Sequence, residues 1–158
     1  MSKKLKYKIN SDISRARTLA SSYYTDKDVF RRSIEKIFSS SWQFALDTNQ
    51  LDDNNIIPIN LLSGTLLEPL LLTKSKDKVK CISNVCTHRG HIVCSKRKKG
   101  NSLICRYHGR TFDLNGKVKK AIGFEGAKNF PSKQDNLQDI KTKQWKNFIF
   151  VSLSNKAK

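Results

Sequence analysis

The sequence predicts a mainly β fold preceded by a helical segment. Short apolar runs bounded by turn residues recur from Ile56 to Leu153, a pattern typical of antiparallel strands. Asn115-Gly116, which lies between two such runs, is the strongest hairpin signal in the chain. One amphipathic helical pattern precedes all of them. We therefore expect an N-terminal helical preface at residues 1–45 and a β domain at residues 46–158.

The composition fits a soluble protein with one domain. A length of 158 residues with 37% hydrophobic side chains allows one workable core, alone or with a small appendage. The longest apolar run, Ile56 to Leu72, is broken by prolines, a glycine and polar residues, so it cannot span a membrane. The N-terminus lacks the apolar core of a signal peptide. We expect a cytoplasmic protein with no membrane partner.

The preface begins as a basic, polar arm from Met1 to Ser22 with weak helical spacing. A helix is predicted to start at Thr25, a hydroxyl N-cap with the Asp28 carboxylate three residues later. Apolar residues then recur at helical spacing up to about Ser39; they are Phe30, Ile34, Ile37 and Phe38. This apolar face is expected to pack on another surface.

Eight segments of the β domain are predicted as strands from their apolar and β-branched residues. They are Ile56–Leu62, Glu68–Lys74, Val79–Ser83, Leu103–Ile104, Thr111–Leu114, Lys117–Lys119, Leu137–Trp145 and Asn147–Leu153. Tight turns are predicted at Ser75-Lys76-Asp77 and at Asn115-Gly116. We find no internal repeat and no low-complexity linker.

Two short Cys and His pairs lie in the stretch Asn84–Phe112, between the predicted strands. The pairs are Cys86 with His88 and Cys105 with His108, and each is followed at once by a glycine-bearing turn. Glycine permits the positive φ that such sharp turns need. The ligands can sort by softness across two irons, both thiolates on one and both imidazoles on the other. A Cys2His2 zinc site and two unrelated pairs without metal are the alternatives.

The spacing C-x-H-x16-C-x2-H, with HRG and YHG flanks, resembles the Rieske [2Fe–2S] family, as do the later TFDLNG and Asn129-Phe130-Pro131. The resemblance implies an antiparallel β-sandwich with a small cluster-binding subdomain. The segment from Tyr24 to Trp42 is similar to the opening of the α subunit of Rieske non-haem iron oxygenases, the aromatic ring-hydroxylating type. The chain therefore resembles the N-terminal portion of such a subunit.

The resemblance implies that Cys86, His88, Cys105 and His108 bind the cluster, with the two histidines as the electron exit. No catalytic residue is assigned. The mononuclear Fe(II) of the family takes two His and one carboxylate, and this chain has three histidines in total, of which only His91 would remain. We therefore expect that iron only in a catalytic domain that this chain does not contain.

The expected function is the electron-transfer component of a ring-hydroxylating-type dioxygenase or monooxygenase, an oxidoreductase. The chain would relay single electrons from a ferredoxin or flavin reductase to an oxygenase catalytic domain or subunit, with a homo-oligomer as one form of the assembly. It is interpreted as a piece of an α subunit or as a separately encoded subunit. The alternative is a stand-alone Rieske-type ferredoxin, an electron carrier that lacks such a preface.

Two departures from family patterns bear on the site. High-potential Rieske proteins carry an extra Cys in each cluster loop, whereas His91 and Tyr107 occupy the corresponding positions here, which indicates the low-potential branch. Arg110 stands where oxygenases usually have Trp after YHG, so the packing of this face on a neighbouring subunit is expected to differ. Cys81 and Cys94 are predicted to be reduced and partly buried.

The formal net charge of +18 is large for this size. One interpretation of this charge is a surface that attracts an acidic redox partner, because complementary charge speeds the encounter of two proteins. Another is a solvated, Lys-rich surface without a specific partner. Nucleic-acid binding is not expected, since neither a basic stripe rich in aromatic residues nor a known binding motif is present.

Overall fold

The computed structural model describes residues 8–157. Within this range the helices are short and N-terminal: α1 (Ser21–Thr25), α2 (Lys27–Lys36) and α3 (Gln50–Asp53), with 3₁₀ helices at Phe38–Ser40 and Lys133–Asp135. The strands are β1 (Gln43–Asp47), β2 (Ile56–Leu61), β3 (Glu68–Ser75), β4 (Lys78–Ser83), β5 (Leu103–Ile104), β6 (Thr111–Phe112), β7 (Val118–Lys120), β8 (Asp139–Trp145) and β9 (Phe148–Ser152).

The strands form two antiparallel sheets. The larger sheet has six strands in the order β1-β9-β8-β4-β3-β2, and the smaller has three in the order β5-β6-β7. The predicted mainly β, antiparallel fold is confirmed. No helix within residues 8–157 has the length and apolar character needed to cross a bilayer.

Strand β3 contributes side chains to two separate apolar clusters. Successive side chains of a strand point to opposite faces, and Leu71 packs into one apolar cluster while Leu70 and Leu72 pack into the other. The first cluster contains side chains of the smaller sheet together with Cys86 and Cys105. The second is built from residues of the larger sheet and from α3. The centre of the strand, Leu70–Leu72, is therefore apolar and buried on both faces.

The N-terminal helix differs from the prediction in its start and in its packing. Asp26, not Thr25, is the N-cap of α2, and its carboxylate accepts hydrogen bonds from the N–H groups of Asp28 and Val29. Thr25 instead ends α1, where its hydroxyl donates to the carbonyl of Ser21. The helix also ends at Lys36, before the predicted Ser39.

The predicted apolar face of α2 is largely exposed within the described residues. Phe30 is 58% exposed and Ile37 is 56% exposed, while the buried residue of the helix is Val29. Phe30 and Ile34 line a shallow hollow against the turn between β2 and β3. Within the described residues this face is covered only in part, so what else packs on it stays a prediction. Residues 1–7 of the predicted arm lie outside the described residues.

The β-strand predictions agree with the structure to within a few residues at each end, and the hairpin at Asn115-Gly116 joins β6 to β7. Two elements were not predicted from the sequence. They are β1, which pairs with β9, and the short helix α3. Strand β1 runs across the boundary predicted between residues 45 and 46. The division into a preface and a β domain stays a prediction.

We predict that Gly116→Ala destabilises the protein more than Gly64→Ala does. Both glycines have positive φ, +83° at Gly64 and +81° at Gly116, so both alanines are strained by about 1–2 kcal/mol. A Cβ at Gly116 would also lie 3.1 Å from the Cβ of Leu137, whereas nothing lies within 4 Å at Gly64. Overpacking adds about 1–3 kcal/mol. Urea unfolding measures the difference, and equal stabilities of the two variants would contradict the packing argument.

Candidate functional site

The two loops that carry the Cys and His pairs have the same backbone hydrogen bonds. In the first loop, the N–H of Cys86 donates to the carbonyl of His91, and the N–H of Gly90 donates back to the carbonyl of Cys86. In the second, Cys105 and Arg110 are joined in the same way, and Gly109 donates back to Cys105. All four bonds measure 2.8–2.9 Å. Each Cys therefore begins a tight loop of the same shape.

Glycine is required at the same place in both loops. Gly90 has φ +69° and Gly109 has φ +71°, the left-handed region that side chains with a Cβ rarely adopt. A Cβ at Gly90 would meet nothing within 4 Å, so backbone conformation alone selects glycine there. The sequence prediction that glycine turns follow each pair is confirmed.

The four predicted ligands meet as two like pairs. Cys86 and Cys105 are buried in one apolar cluster, and the nearby Cys105 thiol helps to raise the pKa of Cys86. The rings of His88 and His108 lie edge to face with centroids 4.8 Å apart. His88 is partly exposed and His108 is exposed. The arrangement has a sulfur pair on the inner side and an imidazole pair on the outer side.

This grouping bears on the choice between one metal ion and two. A tetrahedral zinc site needs its four ligands on one ion. A Rieske centre needs two Cys on one iron and two His on the other. The paired geometry supports the second arrangement.

Asn84 holds the first loop closed, a role that the sequence analysis missed. Its side chain is buried, donates to the carbonyl of Cys94 at 2.7 Å and accepts from the N–H of Cys94 at 2.9 Å. Its own carbonyl accepts from Val93. These bonds join the two ends of the first loop. No signal in the local sequence separates this asparagine from the exposed ones, because its partner is ten residues away.

A third segment, between β7 and β8, lies against both loops. Phe124 contacts the ring of His88, with centroids 5.7 Å apart. The hydroxyl of Thr87 in the first loop donates to the carbonyl of Asp135, and it accepts from the guanidinium of Arg110 in the second loop at 3.2 Å. Asn129-Phe130-Pro131 lies in this segment, but no role in the site was predicted for it from the sequence. The segment forms the outer wall of the site.

Charge and burial shift the pKa of several groups in the site. Burial raises the pKa of the Cys86 thiol, because the thiolate is the form that desolvation penalises. Desolvation, assisted by the positive charge of Arg110, lowers the pKa of His88. The backbone N–H of Ser132 holds the pKa of Asp135 below its usual value, and the Arg110 charge acts in the same direction. The surroundings favour a neutral imidazole at His88.

The remaining candidate residues lie near the site or in the core. The rings of His91 and Tyr107 have centroids 5.7 Å apart, so the positions that carry cysteines in high-potential Rieske proteins are neighbours here as well. Cys81 and Cys94 are both reduced and buried, as predicted. Burial raises the pKa of Cys81 to about 12, which makes it an inert core thiol.

The donor set fits a mixed-ligand iron–sulfur cluster. Two buried thiols suit one iron and two imidazoles suit the other. A further sign is the Nε–H of Arg110, a buried donor that has no hydrogen-bond partner among residues 8–157. Buried donors in folded proteins are almost always paired. An acceptor that the polypeptide does not supply, such as an inorganic sulfide, would suit it.

A family model for the Rieske [2Fe-2S] domain matches residues 41–131. The chain is 30% identical over 142 residues to the carnitine monooxygenase oxygenase subunit of Escherichia coli (strain K12), which covers 89% of this chain and 37% of that protein. It is 33% identical over 138 residues to the chloroplastic choline monooxygenase of Amaranthus tricolor. This alignment covers 86% of this chain and 30% of that protein. The chain spans about a third of the length of these relatives.

Solved structures show the same fold. The quaternary ammonium Rieske monooxygenase CntA in complex with L-carnitine superposes with a TM-score of 0.75 at 27% identity, covering 87% of this chain and 39% of that one. Naphthalene 1,2-dioxygenase from Rhodococcus sp. superposes with a TM-score of 0.74 at 21% identity, covering 84% and 31%. The second likeness shows the fold alone.

We predict that Asn84→Ala loosens the first loop and lowers the free energy of unfolding by about 2–4 kcal/mol. Each buried backbone group left without a partner costs about 1–3 kcal/mol, and the substitution leaves both the N–H and the carbonyl of Cys94 unpaired. Asn101→Ala, at an exposed position in the same region, is the matched control and should change stability by less than about 0.5 kcal/mol. Equal urea midpoints would show that Asn84 does not hold the loop.

Proposed function

The chain belongs to the Rieske [2Fe-2S] domain family, and we propose that it is the electron-transfer part of a Rieske non-haem iron oxygenase. Its cofactor is a Rieske-type [2Fe–2S] cluster, as the sequence resemblance predicted. The observation that carries the proposal is the meeting of a buried thiol pair and an outward imidazole pair, all four within the residues that the family model matches.

We assign the ligands by side chain. Cys86 and Cys105 would hold the inner iron, because buried thiolates are protected from solvent and oxidation. His88 and His108 would hold the outer iron through one ring nitrogen each and keep the second N–H for a partner or solvent. When bound, such a cluster supplies one-electron transfer. The exposed imidazole edges are the proposed electron exit.

The proposed acceptor is a mononuclear iron outside these 158 residues. The usual site needs two histidines and a carboxylate, and the chain has only His91 besides the two proposed ligands. The relatives are oxygenases of which this chain matches about a third, which supports a role as a component. The monooxygenases named for carnitine and choline make quaternary ammonium compounds the first substrates to test in the whole assembly.

A stand-alone ferredoxin remains the second candidate, since such a protein needs only the cluster domain. The exposed apolar residues of α2 favour the oxygenase component, because an electron carrier has no need of this face. Two observations would favour the oxygenase component over the ferredoxin. One is the capture of a catalytic subunit in a pull-down, and the other is a larger polypeptide that contains this sequence. Hydroxylated product formed by the 158 residues alone would contradict both.

The proposed donor is a ferredoxin or flavin reductase that docks on the basic surface. The formal net charge of +18 would attract an acidic protein of this kind. Cys81 and Cys94, which are not proposed ligands, form no disulfide, and this fits the proposed cytoplasmic location because a reducing compartment keeps thiols unpaired.

We predict that the purified protein binds two irons and two sulfides and that Cys86→Ser or Cys105→Ser abolishes binding. A serine hydroxyl is a poor replacement for a thiolate ligand of iron. Iron and sulfide analysis, with the EPR spectrum of the reduced protein, measures the outcome. Stoichiometric zinc without visible absorption would contradict the proposal.

The matched controls for the ligand variants are Cys81→Ser, Cys94→Ser and His91→Ala, which should leave the cluster assembled. Cys94 is buried like the proposed ligands but lies in no Cys and His pair, so it separates loss of a ligand from loss of a core thiol. Retention of the cluster in Cys86→Ser, or its loss in His91→Ala, would show that the wrong set was chosen.

We predict that reduction by an acidic ferredoxin slows as salt is added. Salt screens the interaction between exposed charges that lie more than about 8 Å apart at physiological ionic strength. The attraction between this chain and an acidic ferredoxin depends on the excess of basic residues in this chain. Stopped-flow absorbance under anaerobic conditions measures the rate. A small neutral reductant is the control and should show little salt dependence. A rate with the ferredoxin that does not change with salt would exclude charge-guided docking.

A further inference from the structure

Arg110 is the one charged residue that is buried within the described part of the chain. Its side chain is 4% exposed, and it follows Gly109 at the end of the second loop. The guanidinium is always protonated, and burying an unpaired charge is costly. A position this close to the imidazole pair therefore needs an explanation in terms of what the charge does there.

The guanidinium joins the three segments that surround the site. It donates to the hydroxyl of Thr87 in the first loop at 3.2 Å and lies 3.7 Å from the carboxylate of Asp135 in the third segment. Its flat face lies over the rings of Phe124 and Phe130, 5.2 Å and 5.1 Å from their centroids. Cation–π contacts of this kind are strongest where water is excluded. The side chain is thus fixed in place.

The charge of Arg110 is only partly balanced. Asp135 is the carboxylate that contacts it, at a distance longer than a direct hydrogen bond, and is itself 25% exposed. Phe124 contacts both the guanidinium and the ring of His88. The Nε–H has no partner among residues 8–157.

We propose that Arg110 is a positioning residue whose fixed positive charge raises the reduction potential of the bound cluster and whose contacts hold the two loops together. Reduction would add one electron to a bound cluster, so at constant protonation the reduced form would carry one more negative charge. A buried cation nearby stabilises that form more than the oxidised form. This inference rests on the proposed function.

The test compares the midpoint potential of a variant that removes the positive charge with that of a variant that removes the neighbouring negative charge. Arg110→Met removes the charge but keeps an apolar side chain of similar length, and it should lower the potential. Asp135→Asn removes the balancing anion and should raise it. Arg110→Lys keeps the charge and should stay closest to the unaltered protein. We expect the Met variant to shift the reduction equilibrium at least tenfold, which is about 59 mV for a one-electron couple.

Salt and a distant ion pair provide the controls. Lys80→Met and Asp139→Asn remove the two sides of an exposed pair between β4 and β8, and they should leave the potential unchanged. Because buried charges are poorly screened, the shift in Arg110→Met should persist at high salt. A purely structural role for Arg110 predicts no opposite shift in Asp135→Asn.

The outcomes separate this inference from the proposed function. An unaltered protein that binds no iron and sulfide contradicts the proposed function and, with it, this inference. A loaded protein whose potential is the same in Arg110→Met and in the unaltered form overturns this inference alone. Should Arg110→Met fail to assemble, Arg110→Gln, which is neutral but can still donate a hydrogen bond to Thr87, decides, and a potential equal to that of the unaltered protein overturns the proposal.

Discussion

The site depends on one repeated backbone feature, a loop closed by two hydrogen bonds between a cysteine and the residues four and five positions later. The same closure at Cys86 and at Cys105 turns two segments of different sequence into the same shape. Each loop buries its cysteine against the core between the two sheets. Because the cysteines face inward, the histidines that follow them face outward. The division into a sulfur side and an imidazole side follows from this closure.

The sheets supply the foundation for these loops. Strand β4 leads into the first loop, and β5 and β6 bound the second. The contacts of His88 with His108 and of Thr87 with Arg110 bring the two loops together. Phe112 and Leu103 pack with Cys86 and Cys105 in one cluster, which ties the loops to the sheets beneath them. Movement of either loop would disturb this core, and interiors packed at high density resist such movement. A rigid foundation suits electron transfer, because it limits the rearrangement that accompanies a change of charge.

Electrostatics add a second layer to the site. Within residues 8–157, every basic residue except Arg110 is exposed or partly exposed, and salt weakens the effect of such charges. Arg110 differs because it is buried and contacts residues from three segments. The surface charge would act on the approach of a partner, whereas the buried charge would act on the energy of the transferred electron. The two effects can be separated by salt.

The sequence by itself determined what depends on local spacing. The Cys and His pairs, their glycine turns and the Asn115-Gly116 hairpin are encoded within a few residues each, and apolar runs marked the central strands of the larger sheet. Only the tertiary structure decided the partners of Asn84 and Arg110, the N-cap at Asp26 and the exposed face of α2. Arg110 contacts residues more than ten positions away on either side. Such contacts leave no periodic signal, because they arise only when separate segments pack together.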